Sequence, residues 1–319
     1  MRIVVLDGHT LNPGDNPWDP VARLGELTVH DRTPPDQIVA RAAGAEIAVT
    51  NKVPFSAETL ERLPALRLIA VTATGYNVVD VAAAGRQGVV VSNVPEYATD
   101  CVAQFVFALL LELCHRVAYH NGLVRAGQWS GCEDFCFWSW PLRELAGRKM
   151  GIVGFGRIGR RVGKIANAMG MSVLAADVRT SAPPGYEPFE WMGVEDLFAA
   201  ADVVSLHCPQ TPLNAGMVNR ALLARMKPTA LLVNTARGGL VVEQDLADAL
   251  NEGRLAAAAV DVVSAEPIRI SNPLLSARNC IITPHIAWAT LEARRRLMAA
   301  TAGNIAAFIA GEPVNVVSA

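Results

Sequence analysis

Met150-Gly151-Ile152-Val153-Gly154-Phe155-Gly156-Arg157-Ile158-Gly159-Arg160-Arg161 is the stretch on which the fold turns. The apolar run Met150–Gly154 reads as a buried strand, and a helical pattern begins near Arg160. Between them stand three glycines spaced Gly-x-Gly-x-x-Gly. A glycine triplet alone is weak evidence, because glycines make turns everywhere. A strand before it and a helix after it change the reading. Gly154 allows a tight turn, Gly156 lets the backbone approach a pyrophosphate, and Gly159 permits close helix–strand packing. The N-terminus of that helix offers unpaired N–H groups and a positive dipole end, which suit phosphate. Asp177 closes the next strand 18 residues after Gly159, where a carboxylate can take hydrogen bonds from an adenosine ribose. A nicotinamide dinucleotide is therefore the expected cofactor. Asp177 would repel a 2′-phosphate, which favours NAD over NADP; Arg179, two residues on, is the feature that speaks for NADP.

Outward from this stretch, short β-branched runs alternate with helical patterns, the mark of parallel βαβ units. After Gly147 the predicted strands are Met150–Gly154, Ser172–Ala176, Val203–Leu206, Ala230–Asn234, Ala257–Asp261 and Cys280–Thr283. Six strands with helices between them make a complete doubly wound dinucleotide-binding domain. Upstream, Ile3–Leu6, Leu27–His30, Glu46–Val49, Leu68–Thr72 and Val89–Ser92 are the expected strands. Helices are expected over Pro35–Ala43, Ala57–Leu63 and Val79–Arg86. A long apolar helix, about Asp100 to Ala118, and a Trp/Phe-rich irregular segment, Gln128–Pro141, separate the two series. A last helix, about Leu291–Ala310, is expected to return to the first part. The fold class is α/β, with two doubly wound parallel-sheet domains. Residues 1–99 and 287–319 form a discontinuous first domain, and residues 100–286 a dinucleotide-binding domain inserted into it.

The composition narrows the function classes. A chain of 319 residues, 51% hydrophobic and 18% charged, can bury a sizeable core and is not expected to be disordered. Lys plus Arg total 28 against 30 for Asp plus Glu, so no basic surplus serves nucleic acid or an anionic membrane. A local basic pocket for a small anion remains open. The apolar run Phe105–Leu111 stops at Glu112, short of the ~20 residues that span a bilayer. Among Cys101, Cys114, Cys132, Cys136, Cys208 and Cys280 only the third and fourth are close, and no nearby His completes a zinc set. The expectation is a soluble cytoplasmic protein with reduced thiols, no metal, and neither nucleic acid nor membrane as partner.

Three polar residues lie just past the ends of late strands, where doubly wound sheets place ligands. They are Arg237 in Asn234-Thr235-Ala236-Arg237-Gly238-Gly239, Glu266 in Glu266-Pro267, and His285 in Thr283-Pro284-His285. Singly they read as a surface charge, a loop acid and a turn histidine. At one edge with the cofactor they read as a reaction centre. The order of these motifs closely resembles the D-isomer-specific 2-hydroxyacid dehydrogenases. The resemblance covers nearly the whole chain, including Thr50-Asn51-Lys52, Thr74-Gly75-Tyr76 and Leu206-His207-Cys208-Pro209. Asp134-Phe135-Cys136-Phe137-Trp138 through Leu142, and His285-Ile286-Ala287-Trp288, are similar to the glycerate dehydrogenase or hydroxypyruvate reductase branch.

The resemblance implies a Rossmann NAD-binding domain inserted into a flavodoxin-like substrate-binding domain. It implies hydride transfer to a small 2-keto acid, with hydroxypyruvate or glyoxylate favoured. His285 would be the acid/base, Glu266 would orient it, and Arg237 would bind carboxylate and carbonyl oxygens through its planar fork. Backbone N–H groups around Thr74 and Gly75 would hold the substrate carboxylate. Arg157 and Ile158 would contact the pyrophosphate, Cys208, Pro209 and Asn214 would lie near the adenosine, and Thr235, Ala236 and Asp261, with Arg237 and His285, would line the nicotinamide end. In proteins of this kind the helix beside Phe135, Phe137, Trp138 and Trp140 forms a dimer interface, so a homodimer is expected. Lys52 faces the site or is a loop charge, and Trp288 caps the pocket or packs. Phosphoglycerate or D-lactate dehydrogenase of the same family, and a dinucleotide-sensing corepressor-like binding protein, are the alternatives. Formate dehydrogenases carry Gln where this chain has Glu266.

Overall fold

Every strand expected from the sequence is present. The computed structural model describes residues 1–180 and 183–317. Its chain divides into two units, Met1–Ala98 with Trp288–Ala319, and Thr99–Ala287. The division falls one residue away from each boundary expected from the sequence.

In the first unit β1 (Arg2–Val5), β2 (Glu26–Val29), β3 (Ile47–Thr50), β4 (Leu68–Val71) and β5 (Val90–Ser92) form a parallel sheet in the order β2-β1-β3-β4-β5. That is the flavodoxin-like order. Side chains alternate between faces along each strand. Ile3, Val5, Ile47, Val49, Leu68 and Ala70 share a cluster with Val21 of α1 (Asp19–Ala22). Val4, Ala48, Ile69, Val71 and Val91 pack with α2 (Ile38–Ala42), α3 (Ala57–Glu61) and α4 (Val81–Arg86) on the other face.

The second unit opens with α5 (Thr99–His115) and α6 (Val117–Arg125), bent by 52° at Arg116. The single helix expected from Asp100 to Ala118 is therefore two. Arg116 adopts a left-handed φ of 46°, its guanidinium lies 3.9 Å from the centre of the Trp140 ring, and it donates to Asn279 Oδ1. Beyond this break no residue of α6 is buried, so no core holds the chain to the axis of α5. Among the described residues no single helix is long and apolar enough to cross a membrane.

Seven parallel strands follow: β6 (Lys149–Val153), β7 (Ser172–Ala176), β8 (Phe189–Trp191), β9 (Val203–Leu206), β10 (Leu231–Asn234), β11 (Ala257–Val260) and β12 (Cys280–Ile282). Their order is β12-β11-β10-β9-β6-β7-β8, a doubly wound arrangement whose direction reverses beside β6. The predicted count of six missed β8. This three-residue edge strand reads Phe-Glu-Trp, pairs only with β7, and carries no β-branched residue. Met150, Ile152, Val173, Ala175, Leu231 and Val233 bury with α5 and α7 (Arg157–Ala168) on one face. Leu174, Val204, Leu206, Leu232 and Val260 bury with α8 (Val194–Ala200), α9 (Arg220–Leu223) and α10 (Glu243–Asn251) on the other. Each fully buried aliphatic side chain contributes roughly 1.5–3 kcal/mol, so these layers fix where the strand ends lie.

The chain closes with α11 (Leu291–Ile309), whose Leu297, Met298 and Ile305 complete the first-unit cluster around Ile3 and Val5. Thr290 caps it by accepting from the Ala293 amide. Arg294, 8% exposed, donates to Leu11 O and Ala289 O and to both carboxylate oxygens of Asp15. Val317 then donates to Val91 O beside β5.

Candidate active site

The three glycines of the loop after β6 have three different structural reasons. Gly154 has φ +93°, and a Cβ there would overlap the His207 and Cys208 backbone, 2.6 Å from His207 C. A Cβ on Gly159 would overlap Gly154 O and reach 3.1 Å from Ile152 Cγ2, so helix and strand meet there without a side chain between them. A Cβ on Gly156 would meet nothing within 4 Å. No neighbouring protein atom accounts for that glycine, and the open space leaves room for a ligand to back onto the loop. Gly156 is also the N-cap of α7, and no side chain caps the helix. The helix begins at Arg157, one turn before the expected start near Arg160, which brings the Arg157, Ile158 and Gly159 amides to its mouth.

Asp177 stands at the end of β7 and faces this loop. It accepts from the Phe155 amide at 2.7 Å and from the Arg179 amide at 3.1 Å. The carboxylate is therefore aimed at the glycine turn, and Val178 beside it is 99% exposed. At the end of β9, His207 accepts or donates at 2.8 Å to Ser205 Oγ, and desolvation lowers its pKa to about 3. It is a neutral packing histidine. Burial pushes the Cys208 thiol above its ordinary value. Asn214 is engaged within its own loop: its amide donates to Pro209 O at 2.8 Å, and its oxygen accepts from the Thr211 amide at 2.7 Å. It braces the Cys208–Pro209 turn.

Arg237 is placed by a residue that sequence reasoning passed over. Asn234, fully buried at the end of β10, donates to Arg237 O at 2.9 Å and accepts from the Ala236 amide at 3.0 Å. A short amide closing an otherwise apolar strand was the available signal. The Arg237 side chain is exposed and donates to Ala236 O at 2.7 Å. Thr235 Oγ1 is buried without a hydrogen-bond partner. With the open cradle at Gly156 and the uncapped α7, this orphaned hydroxyl fits a chain shaped around a dinucleotide.

His285 sits beyond β12 with φ +55°, a left-handed value unusual outside glycine. Asp261, 1% exposed at the end of β11, holds this loop. Its carboxylate accepts from Thr283 Oγ1 at 2.6 Å, Ile286 N at 2.9 Å and Ala287 N at 2.9 Å, and its carbonyl accepts from His285 N at 2.8 Å. Expected at the nicotinamide end, Asp261 spends three acceptor sites of its carboxylate on the histidine loop, which leaves about one of the usual four. His285 Nδ1 lies 2.7 Å from Glu266 Oε2, with the side chains 28% and 32% exposed. The carboxylate accepts from Nδ1–H, which leaves Nε2 as the nitrogen that can exchange a proton. Glu266 Oε1 also accepts from Val263 N at 3.3 Å.

In the first unit, Thr74 follows β4, with its hydroxyl donating to Val94 O at 2.9 Å and its carbonyl accepting from Asn93 Nδ2 at 2.8 Å. Lys52 follows β3 and is exposed; its amide and those of Asn51 and Val53 donate to the Asp7 carboxylate. Trp288 packs edge-on against Tyr97, with ring centres 6.3 Å apart.

The family model for the D-isomer specific 2-hydroxyacid dehydrogenase, NAD binding domain, matches residues 107–287. A hydroxypyruvate reductase of Blautia hydrogenotrophica is 50% identical over 321 positions, covering 100% of both chains. A glycerate dehydrogenase of Methylorubrum extorquens is 43% identical over 287 positions, 89% of each chain. Among solved structures, D-lactate dehydrogenase from Aquifex aeolicus, complexed with NAD and lactic acid, superposes with a TM-score of 0.83. It is 25% identical, over 98% of this chain and 96% of that one.

The glycine geometry separates two substitutions. Gly156→Val is expected to leave the unfolding temperature within about 2 °C of wild type, because the added Cβ stands in open space, while weakening NADH binding at least ~10-fold. Gly159→Val is expected to lower both, since its side chain collides with Gly154 O. Calorimetry and NADH fluorescence titration check this; tight NADH binding by Gly156→Val would contradict it.

Proposed function

The chain belongs to the D-isomer specific 2-hydroxyacid dehydrogenase family, and from that premise we propose that it reduces hydroxypyruvate or glyoxylate, with NADH preferred over NADPH. The observation that carries the reading is the 2.7 Å His285–Glu266 pair at the same sheet edge as the Arg237 turn and the glycine loop. NADH, when bound, would supply the hydride for the keto carbon and leave as NAD. Gly154, Gly156, Arg157, Ile158 and Gly159 would hold its pyrophosphate, and Asp177 its adenosine ribose. Cys208, Pro209 and Asn214 would flank the adenosine, with Thr235, Ala236 and Asp261 towards the nicotinamide.

The remaining chemistry belongs to side chains. Arg237 has a planar, permanently charged fork that can exchange its contact with Ala236 O for the substrate's carboxylate and carbonyl oxygens. Its charge there also stabilises negative charge developing on the carbonyl oxygen. His285 gives that oxygen a proton from Nε2, and Glu266 keeps the ring oriented by holding Nδ1–H. Backbone amides at Thr74 and Gly75 are the further donors we assign to the substrate carboxylate. The two relatives' names support the preference for a three-carbon acid, and the small-acid chemistry of Arg237 is compatible with the two-carbon glyoxylate as well.

Two tests apply. Initial rates with NADH and NADPH against hydroxypyruvate, glyoxylate, pyruvate, phenylpyruvate and 3-phosphohydroxypyruvate should give the highest kcat/KM for hydroxypyruvate or glyoxylate with NADH. A preference for NADPH, or for pyruvate or the phosphorylated acid, contradicts the proposal. We also assign a homodimer through α6 and its neighbouring segment, where Val117, Phe135 and Trp138 are 65%, 88% and 65% exposed. Sedimentation should find two chains, and Trp138→Glu should shift the equilibrium towards one; a monomeric wild type rules this out.

A further inference from the structure

Glu243 is assigned no part in holding substrate or cofactor, yet its carboxylate accepts three hydrogen bonds from the two ends of the segment that carries Glu266. It is the first residue of α10, where a negative charge also suits the helix dipole. Its Oε1 accepts from Ser264 N at 2.7 Å, and its Oε2 accepts from Ser264 Oγ at 2.8 Å and Asn272 Nδ2 at 2.9 Å. Ser264 and Asn272 flank the segment that carries Glu266, so one carboxylate ties both ends of that segment to α10. Val263, next to Ser264, donates its amide to Glu266 Oε1. On the other side of the same junction, a Cβ on Gly238 would overlap Val263 and lie 2.5 Å from Ser264 N, so the Arg237 turn and this segment are in backbone contact.

Three donors converging on one group require an acceptor-only side chain. A glutamine has one acceptor oxygen and would turn an NH2 towards another donor. We infer that Glu243 is a positioning residue: it sets the place of Glu266, and through it the orientation of His285. This rests on the reading of His285–Glu266 as the acid/base pair.

The test uses the full-length protein with NADH and its best keto acid, in Glu243→Ala, Glu243→Gln, Glu266→Gln and the Glu243→Ala/Glu266→Gln double variant. Glu243→Ala should lose roughly 10- to 100-fold in kcat, the scale on which a ~1 Å displacement of a catalytic group is felt, with the Kd for NADH unchanged. Glu243→Gln, keeping one acceptor, should lose less. In the Glu266→Gln background, Glu243→Ala should cost no more than about 2-fold further, because residues acting through one contact are not additive. A stabilising role alone would lower the unfolding temperature and leave kcat and the cycle untouched. Wild-type kcat in Glu243→Ala, or in Glu243→Gln if the alanine variant does not fold, together with a slow Glu266→Gln overturns the inference. So do losses that multiply in the double variant. Wild-type turnover in Glu266→Gln removes the underlying reading and this inference with it.

Discussion

The buried carboxylate of Asp261 is the constraint on which the rest of the site depends. A carboxylate removed from water must be given hydrogen bonds, and here they come from Thr283, Ile286 and Ala287. Those donors span the turn that holds His285, and the Asp261 carbonyl takes the His285 amide. A left-handed φ costs a non-glycine residue roughly 1–2 kcal/mol. Hydrogen bonds to a charged acceptor contribute about 1.5–3 kcal/mol each, so three of them outweigh that strain. His285 is thereby held in a conformation it would not choose, with Nδ1 against Glu266.

The same logic repeats along the sheet edge. Each strand of the second unit other than β8 is followed immediately by a polar or turn-forming residue: Gly154 after β6, Asp177 after β7, His207 after β9, Thr235 after β10, Asp261 after β11 and Thr283 after β12. Parallel strands point all their carboxyl ends one way, so burial of alternating apolar residues on two faces is enough to bring these groups to one rim. Packing decides where the strand ends lie; polar side chains then decide the shape of each turn. Asn234 does this for Arg237, Asp261 for His285, and Asn214 for the Cys208–Pro209 turn.

The sequence made the long strands and their parallel order legible because their apolar runs are continuous and bounded by Gly, Asp and Asn. It did not reveal β8, whose Phe-Glu-Trp is held at an edge by pairing with β7. Nor did it reveal the break at Arg116, because α5 and α6 read as one helical pattern and the bend depends on contacts with Trp140 and Asn279. Arg237, Glu266 and His285 stood out by residue type and motif order. Asn234 and Glu243 did not, since their importance lies in what they hold across 21 or more residues or within a tight turn. Asp261 was visible as a strand-end acid, but only its three donors show that it shapes the histidine loop.

The central claim is that His285, oriented by Glu266, exchanges the proton with the substrate oxygen. The most direct measurement is single-turnover reduction of the preferred keto acid by pre-bound NADH in His285→Ala, followed by loss of nicotinamide absorbance. Expected is normal NADH affinity with a rate lowered roughly 10²- to 10⁴-fold, the scale of a positioned acid–base group. A single-turnover rate close to wild type would contradict it.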